Sequence, residues 1–83
     1  MSYSSLRESL DSKNYSNIRN RLISLRKESH STQRELAKKL LVTQLYVSKV
    51  ESGQRRMDIL ELKKYLGVLN YSTHQFISEI DIT

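Results

Sequence analysis

The side chains best suited to chemistry lie in one short predicted helix, residues 44–52. Gln44, Leu45 and Lys49 all lie off the apolar face that Val47 and Val50 define by their spacing of three. A glutamine amide can bond adenine at two atoms, a lysine ammonium can bond guanine, and a leucine can contact a thymine methyl group. These residue types could therefore recognise base edges in duplex DNA. The alternatives are an ordinary solvated helix surface for Gln44 and Lys49 and a protein contact for Leu45.

Residue types needed for catalysis or metal binding form no recognisable constellation. His30 and His74 each lie at a predicted helix boundary, without the His or Glu partner four residues away that a metal-binding helix supplies. No serine lies in a nucleophile elbow, there is no Gly-rich phosphate loop, and cysteine is absent. We therefore expect no catalytic residue, metal or cofactor, and no enzymatic activity.

Positive charge is concentrated in the middle of the chain. The net charge is +5, but residues 19–56 carry ten basic against three acidic side chains, whereas residues 57–83 have a net charge of −2. Such an excess is typical of a surface that binds phosphates, although a solvated basic face has the same composition. Charge alone leaves both interpretations open.

Two short helical patterns occupy residues 32–52. Thr32 and Glu35 have the spacing of a capping box at the start of the first pattern, whose apolar side chains repeat at helical spacing. The second pattern has Thr43 as its expected N-cap and Gly53 as its expected stop. Two short helices joined by a tight turn are the pattern of a helix-turn-helix, whose second helix enters the DNA major groove. The apolar face of the first helix consists of Leu36, Ala37 and Leu40.

Helical periodicity extends over the rest of the chain and predicts an all-α fold of five helices. One helix is expected from about 14 to 28, and capping patterns at 58–61 and 72–75 open two more. We expect one domain over 14–83, preceded by an arm, residues 1–13, that is either frayed or a short helix. The expected apolar faces are Ile18, Leu22, Ile23 and Leu25; Leu62, Tyr65, Leu66 and Leu69; and Phe76, Ile77 and Ile80.

The order and spacing of these motifs resemble the Cro- and lambda-repressor-type helix-turn-helix regulators, known as the XRE family. The resemblance is carried by T-Q-x-E-L-A from Thr32, by V-T-Q-x-x-V-S-K-V-E-S-G from Val42, and by the Q-R-R-M-D that follows. It extends over about residues 18–77 and implies a compact lambda-repressor-like domain with the helix-turn-helix at about 32–52. It also implies DNA binding and transcription regulation.

The resemblance also assigns roles to single residues. It implies base reading by the three outward side chains of the second helix, and a phosphate contact by Gln33, at a helix N-terminus that already favours an anion. The other residues expected at the DNA backbone have ordinary alternatives, since Tyr46 could cover the turn and Arg55 or Arg56 could pair with an acidic residue. The base-reading residues are Gln44, Leu45 and Lys49, the backbone residues are Gln33, Tyr46, Ser48, Ser52, Gln54, Arg55 and Arg56, and the acidic competitors are Asp58 and Glu61.

Three further expectations concern the helix-turn-helix itself. The family pairs an arginine late in the first helix with a glutamate near the end of the recognition helix, and these match Arg26 and Glu51. His30 and Leu41 stand at turns where the family has glycine. If the turn between the two helices keeps its left-handed residue, Leu41 costs about 1 kcal/mol relative to glycine. Otherwise the turn changes shape and tilts the recognition helix.

The expected function is sequence-specific binding of double-stranded DNA by a small transcriptional regulator, most often a repressor. We expect a bacterial or phage-encoded, cytoplasmic, nucleoid-associated protein without a small-molecule ligand. No apolar run reaches transmembrane length, and the N-terminus lacks the apolar core of a signal peptide. One alternative is a protein-interaction module, such as an antitoxin or operon controller with a protein partner from the same operon. A weaker one is a bridging protein without a specific operator.

A homodimer on a pseudo-palindromic operator is expected, because one recognition helix reads too few base pairs. Phe76, Ile77, Ile80 and Ile82 provide more apolar surface than one short terminal helix readily hides, so part of it could form a two-fold interface. In the alternative arrangement, the first three close the monomer core and Ile82 is frayed.

Overall fold

Five helices joined by short connections lie within residues 13–80, the part of the chain that this computed structural model describes. No strand occurs in that range, so the predicted all-α fold is confirmed. The expected N-terminal arm, apart from its last residue, and Ile82 lie outside the described residues. In chain order the helices are α1 (Lys13–Glu28), α2 (Gln33–Leu40), α3 (Gln44–Ser52), α4 (Ile59–Val68) and α5 (Thr73–Glu79).

Complete capping boxes begin α2 and α4, where the sequence predicts them. The hydroxyl of Thr32 accepts the backbone N–H of Glu35 at 3.1 Å, and the Glu35 carboxylate accepts the Thr32 N–H at 2.9 Å. Asp58 and Glu61 repeat this exchange at 2.8 and 3.4 Å. Each box satisfies two backbone donors that a helix start would otherwise leave unpaired.

The capping pattern at the start of α5 is only half formed, which corrects the sequence expectation. Ser72 accepts the backbone N–H of Gln75 at 3.2 Å. The Gln75 amide, however, donates to the carboxylate of Glu79 at 3.0 Å instead of returning to the Ser72 backbone. An ionised acceptor one helical turn away gives a stronger hydrogen bond than a capping contact, which accounts for the difference.

The turn between α2 and α3 keeps its left-handed residue although that residue is a leucine. Leu41 has φ 60° and ψ 42°, and its N–H donates to the carbonyls that end α2. Its side chain is 90% exposed, so intramolecular burial does not offset the cost of about 1 kcal/mol relative to glycine. His30 also has a positive φ, of 58°, and follows α1 as expected. The family turn is therefore retained, and the alternative of a changed turn is not observed.

The core lies between α3 and the helices around it. α3 packs against α1 and α2, α2 also packs against α4, and α4 packs against α5. Complete burial of an aliphatic or aromatic side chain stabilises the fold by roughly 1.5–3 kcal/mol. Most of the residues predicted to face inward are buried in the structure. The buried apolar side chains in the described part of the chain are Leu22, Leu25, Leu36, Ala37, Val47, Val50, Tyr65, Leu66 and Phe76.

Only part of the predicted apolar face of α5 reaches this core. Phe76 is fully buried and Ile80 packs partly against the core, whereas Ile77 is 51% exposed. Residues 76 and 80 are one turn apart and point to the same side of a helix, while residue 77 is rotated by about 100° from that direction. The expectation that Ile77 helps to close the core is wrong.

Candidate nucleic-acid interface

One side of α3 is buried and the opposite side carries the three residues expected to read bases. Val47 and Val50 are fully buried, and Gln44, Leu45 and Lys49 are exposed. The start of the helix is set by Thr43, whose hydroxyl accepts the N–H of Tyr46 at 3.1 Å. The first turn of α3 therefore presents an amide and an aliphatic side chain to solvent, with an ammonium one turn later. The exposed residues of this face are Gln44, Leu45 and Lys49.

Behind α3, a single carboxylate joins three helices. Glu51 of α3 accepts two hydrogen bonds from Arg26 of α1, at 2.7 Å to Nε and 3.0 Å to Nη2. It also accepts the side-chain amide of Gln33, from α2, at 2.9 Å. The side chains of Arg26 and Glu51 are 11% and 6% exposed. Because a buried charge needs paired hydrogen bonds, this cluster constrains how α3 is oriented on the rest of the domain.

The Gln33 contact differs from the one that the family resemblance implies. The sequence assigns this side chain to a DNA phosphate, but in the structure its Nε2 faces Glu51. Gln33 is half-buried and stands at the first position of α2. The glutamine thus has an intramolecular partner before any DNA contact, and this pairing had no signal in the sequence because 18 residues separate the two.

A second carboxylate cluster lies where α3 meets the start of α4. The Tyr46 hydroxyl donates to Glu61 Oε2 at 2.6 Å, and Arg55 Nη2 donates to the same oxygen at 2.8 Å. The Arg55 guanidinium also lies over the Tyr46 ring, 5.0 Å from its centroid. We call these three residues the Tyr46–Arg55–Glu61 cluster. Of the two alternatives for Arg55, the structure thus shows pairing with an acidic residue.

This cluster is charged and partly open to solvent. The hydrogen bond from Tyr46, followed by the bond from Arg55, holds the pKa of Glu61 below its ordinary value despite some desolvation. Partial burial, and then the bond to Glu61, raises the pKa of Tyr46. The Arg55 side chain is half-exposed and remains accessible to a phosphate. At neutral pH the cluster therefore contains an ionised carboxylate beside an accessible cation.

Arg56 contacts α1, whereas the neighbouring Arg55 contacts α4. Its guanidinium lies over the ring of Tyr15, in α1, 4.5 Å from the centroid. The Tyr15 hydroxyl donates to the backbone carbonyl of Arg55 at 3.4 Å. The loop after α3 is thus held by α1 on one side and by α4 on the other. The sequence contains no sign of the Tyr15 contact, since a contact across 40 residues leaves no periodic signal.

Arg19 supports the end of α3 and was also missed. Its Nη1 lies 3.4 Å from the carbonyl of Glu51, at the end of the helix where backbone carbonyls lack partners. The neighbouring Gly53 has φ 84°, and a Cβ added there would lie 2.9 Å from Arg19 Nε. The left-handed conformation therefore favours glycine at this position, and a larger residue would also have to displace the end of the Arg19 side chain.

The remaining residues expected at the DNA backbone lie within α3 and just after it. The Ser52 hydroxyl donates to the carbonyl of Lys49 at 3.2 Å, which is a local helix contact. Gln54 is exposed and Ser48 is half-buried. Ser52 and Gln54 thus lie near the C-terminal end of α3 with Arg55, whereas Ser48 lies in the middle of the helix, next to Lys49.

Neither metal ligands nor a membrane-crossing helix are seen in the described part of the chain. Within residues 13–80, histidine, cysteine and carboxylate side chains do not gather in groups of three or more that could hold a metal ion. None of the helices found there has the length and apolar character needed to span a bilayer.

Comparison with known proteins addresses the family directly. A family model described as Helix-turn-helix matches residues 22–76, from the middle of α1 to the buried phenylalanine of α5. The chain belongs to the XRE-type helix-turn-helix family. This DNA-binding regulator family includes the Cro and lambda-repressor type, so the protein is a DNA-binding transcription regulator in general terms. Neither a curated protein nor a solved structure matches the chain.

Proposed function

We propose that this helix-turn-helix regulator recognises a specific duplex sequence by placing α3 in the major groove. The observation that carries the proposal is the exposed face of α3, opposite two fully buried valines and oriented by the buried Arg26–Glu51 pair. An amide and an aliphatic group in the first turn of α3, with an ammonium one turn later, match the donors, acceptors and methyl groups of base edges. The base-reading residues of this proposal are Gln44, Leu45 and Lys49.

Contacts to the DNA backbone position the protein in this proposal. Arg55 is half-exposed, and residues 19–56 carry a strong excess of positive charge. Phosphate contacts contribute affinity and register without sequence preference. We assign this role to Gln33, Tyr46, Ser48, Ser52, Gln54, Arg55 and Arg56, with the aromatic ring of Tyr46 acting through Arg55.

We further propose that the protein acts as a homodimer on a pseudo-palindromic operator, where it represses by occupying a promoter. The exposed Ile77 of α5 offers apolar surface for a two-fold contact, and the exposed Ile59 and Leu60 at the start of α4 offer a second such surface. Sedimentation of the protein alone and with operator DNA tests this. Ile77→Asp and Leu60→Asp separate the two surfaces, and a monomer on DNA at all concentrations contradicts the dimer.

Selection of binding sites from random duplex DNA tests the main proposal. After selection, Gln44→Ala and Lys49→Ala should each lose about 1–3 kcal/mol of discrimination at particular base pairs. Lys63→Ala is a matched control, because it removes an exposed lysine from α4. No enrichment in the selection, or an equal loss on selected and scrambled DNA, contradicts sequence-specific reading by α3.

A protein-interaction module remains the second candidate, and one observation favours it. Leu41 is almost fully exposed and has a left-handed conformation that costs free energy. Burial of its side chain within the domain does not compensate for this cost. A protein partner from the same operon that covers Leu41 would supply the missing gain. In that case, Leu41→Gly should abolish partner binding while leaving the selected DNA site unchanged.

A further inference from the structure

The Tyr46–Arg55–Glu61 cluster has a near-replica elsewhere in the domain. Arg21 of α1 donates to the hydroxyl of Tyr71 at 3.0 Å and to Glu79 of α5 at 3.2 Å, and its guanidinium lies 5.3 Å from the centre of the Tyr71 ring. Tyr71 in turn donates to Glu79. The side chains of Glu61 and Glu79 are 30% and 33% exposed. The two clusters share a tyrosine, an arginine and a glutamate but differ in position, and Arg21 also pairs with Glu28 at 3.1 Å.

The Tyr46–Arg55–Glu61 cluster lies next to the proposed DNA-binding surface, whereas the cluster of Arg21, Tyr71 and Glu79 lies between α1 and α5. Tyr46 belongs to the recognition helix and Arg55 follows it directly, so Glu61 holds its negative charge beside the surface proposed to face DNA. Arg55 already has a carboxylate at 2.8 Å, and a cation that stays with this carboxylate does not neutralise a phosphate. Fewer of the counterions condensed on the DNA are then released, and the gain in affinity is smaller.

We infer that Glu61 is a specificity-determining residue that restrains the phosphate contact of Arg55. The inference rests on the proposed function. On unrelated sequences, where the register of α3 in the groove varies, Arg55 stays with Glu61. At the correct site, α3 docks in one register and brings one phosphate close to Arg55. This phosphate then replaces the Glu61 carboxylate as the partner of Arg55. Glu61 thereby lowers binding to non-specific DNA more than binding to the operator.

Substitution of Glu61 by glutamine tests the inference, since glutamine keeps an acceptor for Tyr46 and for the α4 cap while removing the charge. Glu61→Gln should bind non-specific duplex about threefold to tenfold more tightly, because the competing carboxylate of a partly exposed pair is gone. The operator selected above should gain about twofold or less. The slope of log affinity against log salt on non-specific DNA should steepen by about 0.9, as expected for one more phosphate contact with counterion release.

Glu79→Gln is the control for net charge, because it also removes one carboxylate, in this case from the cluster between α1 and α5, where Arg21 keeps its pair with Glu28. It should change neither the affinity ratio nor the salt slope. In an Arg55→Ala background, Glu61→Gln should lose its effect, which ties the effect to Arg55. Thermal melting of each variant ensures that folded proteins are compared.

Three outcomes would overturn the inference. They are equal effects of Glu61→Gln and Glu79→Gln, an equal gain on operator and non-specific DNA, or weaker binding by Glu61→Gln. The proposed function fails differently, when the wild type shows no sequence preference. In that case, binding of non-specific duplex by Glu61→Gln, with and without Arg55→Ala, still reports whether Glu61 neutralises Arg55. If Glu61→Gln does not change this binding, the neutralisation is contradicted as well.

Discussion

Glu51 and Glu61 have similar partners and opposite surroundings. Each carboxylate receives an arginine and one uncharged side-chain donor, Gln33 for Glu51 and Tyr46 for Glu61. The Glu51 side chain is almost fully buried behind the recognition helix, whereas Glu61 lies at its solvent-facing edge. Burial raises the cost of leaving a charge unpaired, and exposure leaves the charge free to act on a ligand. We therefore expect the first cluster to contribute to stability, and we propose that the second affects binding.

The largest expected effect comes from breaking the buried cluster on one side. Arg26→Ala should lower the free energy of unfolding by about 3–5 kcal/mol, because it leaves the Glu51 carboxylate buried without its cation. A domain of this size has a total stability of only about 5–10 kcal/mol, so the variant should be largely unfolded on mild heating. Urea or thermal denaturation followed by circular dichroism measures the change.

Replacement of both Arg26 and Glu51 tests whether the loss of stability comes from the unpaired charge. Arg26→Met combined with Glu51→Leu should recover much of the lost stability, since no charge is then stranded. If Arg26→Ala alone cost less than about 1 kcal/mol, Glu51 would behave like an exposed carboxylate, and the contrast between the two clusters would disappear.

Gln33→Ala should have a smaller effect in the same cluster. It removes one hydrogen bond to an ionised acceptor from a half-buried side chain, and we expect a loss of about 1–2 kcal/mol of stability. Denaturant titration of Gln33→Ala beside Arg34→Ala, which removes the next and exposed side chain of α2, isolates the contribution of the hydrogen bond. Equal stability of the two variants would show that the Glu51 contact contributes nothing.

The sequence was informative where local chemistry decides the structure. The spacing of Val47 and Val50 predicts which side of α3 is buried, and both lie in the core. The Thr32–Glu35 signature predicts the start of α2, because both partners of a capping box lie within one turn. The Arg26–Glu51 pairing came from the family resemblance rather than from the residues alone, and the structure contains it.

Side-chain partners far apart in sequence were not predictable in the same way. The contacts of Gln33 with Glu51 and of Arg56 with Tyr15 depend on how helices cross, which no single segment encodes. Ile77 shows a related limit. A seven-residue helix gives too few turns to decide which apolar residues face inward, and this one faces solvent.

In the exposed cluster, stability should change little. Glu61→Gln should lower the free energy of unfolding by less than about 1 kcal/mol, because partly exposed ion pairs are screened and the glutamine retains hydrogen-bond acceptors. Glu79→Gln should behave alike. Denaturation of both variants against the wild type measures this, and a loss comparable to that of Arg26→Ala would show that exposure does not set the two clusters apart.

The smallest expected effect is a pH dependence of stability at the exposed cluster. The pKa of Glu61 is lowered from its ordinary value of 4.5, chiefly by the hydrogen bond from Tyr46. A carboxyl group that is more acidic when folded stabilises the fold above its ordinary pKa, and this contribution is lost as the pH falls through the lower folded value. The contribution of Glu61 to the melting temperature should thus be constant above about pH 6 and should decrease below about pH 5. Glutamine cannot titrate, so Glu61→Gln should melt slightly below the wild type at neutral pH and approach it in acid. A constant difference between the two melting curves from neutral to acid pH would mean that the charge of Glu61 contributes nothing to the fold.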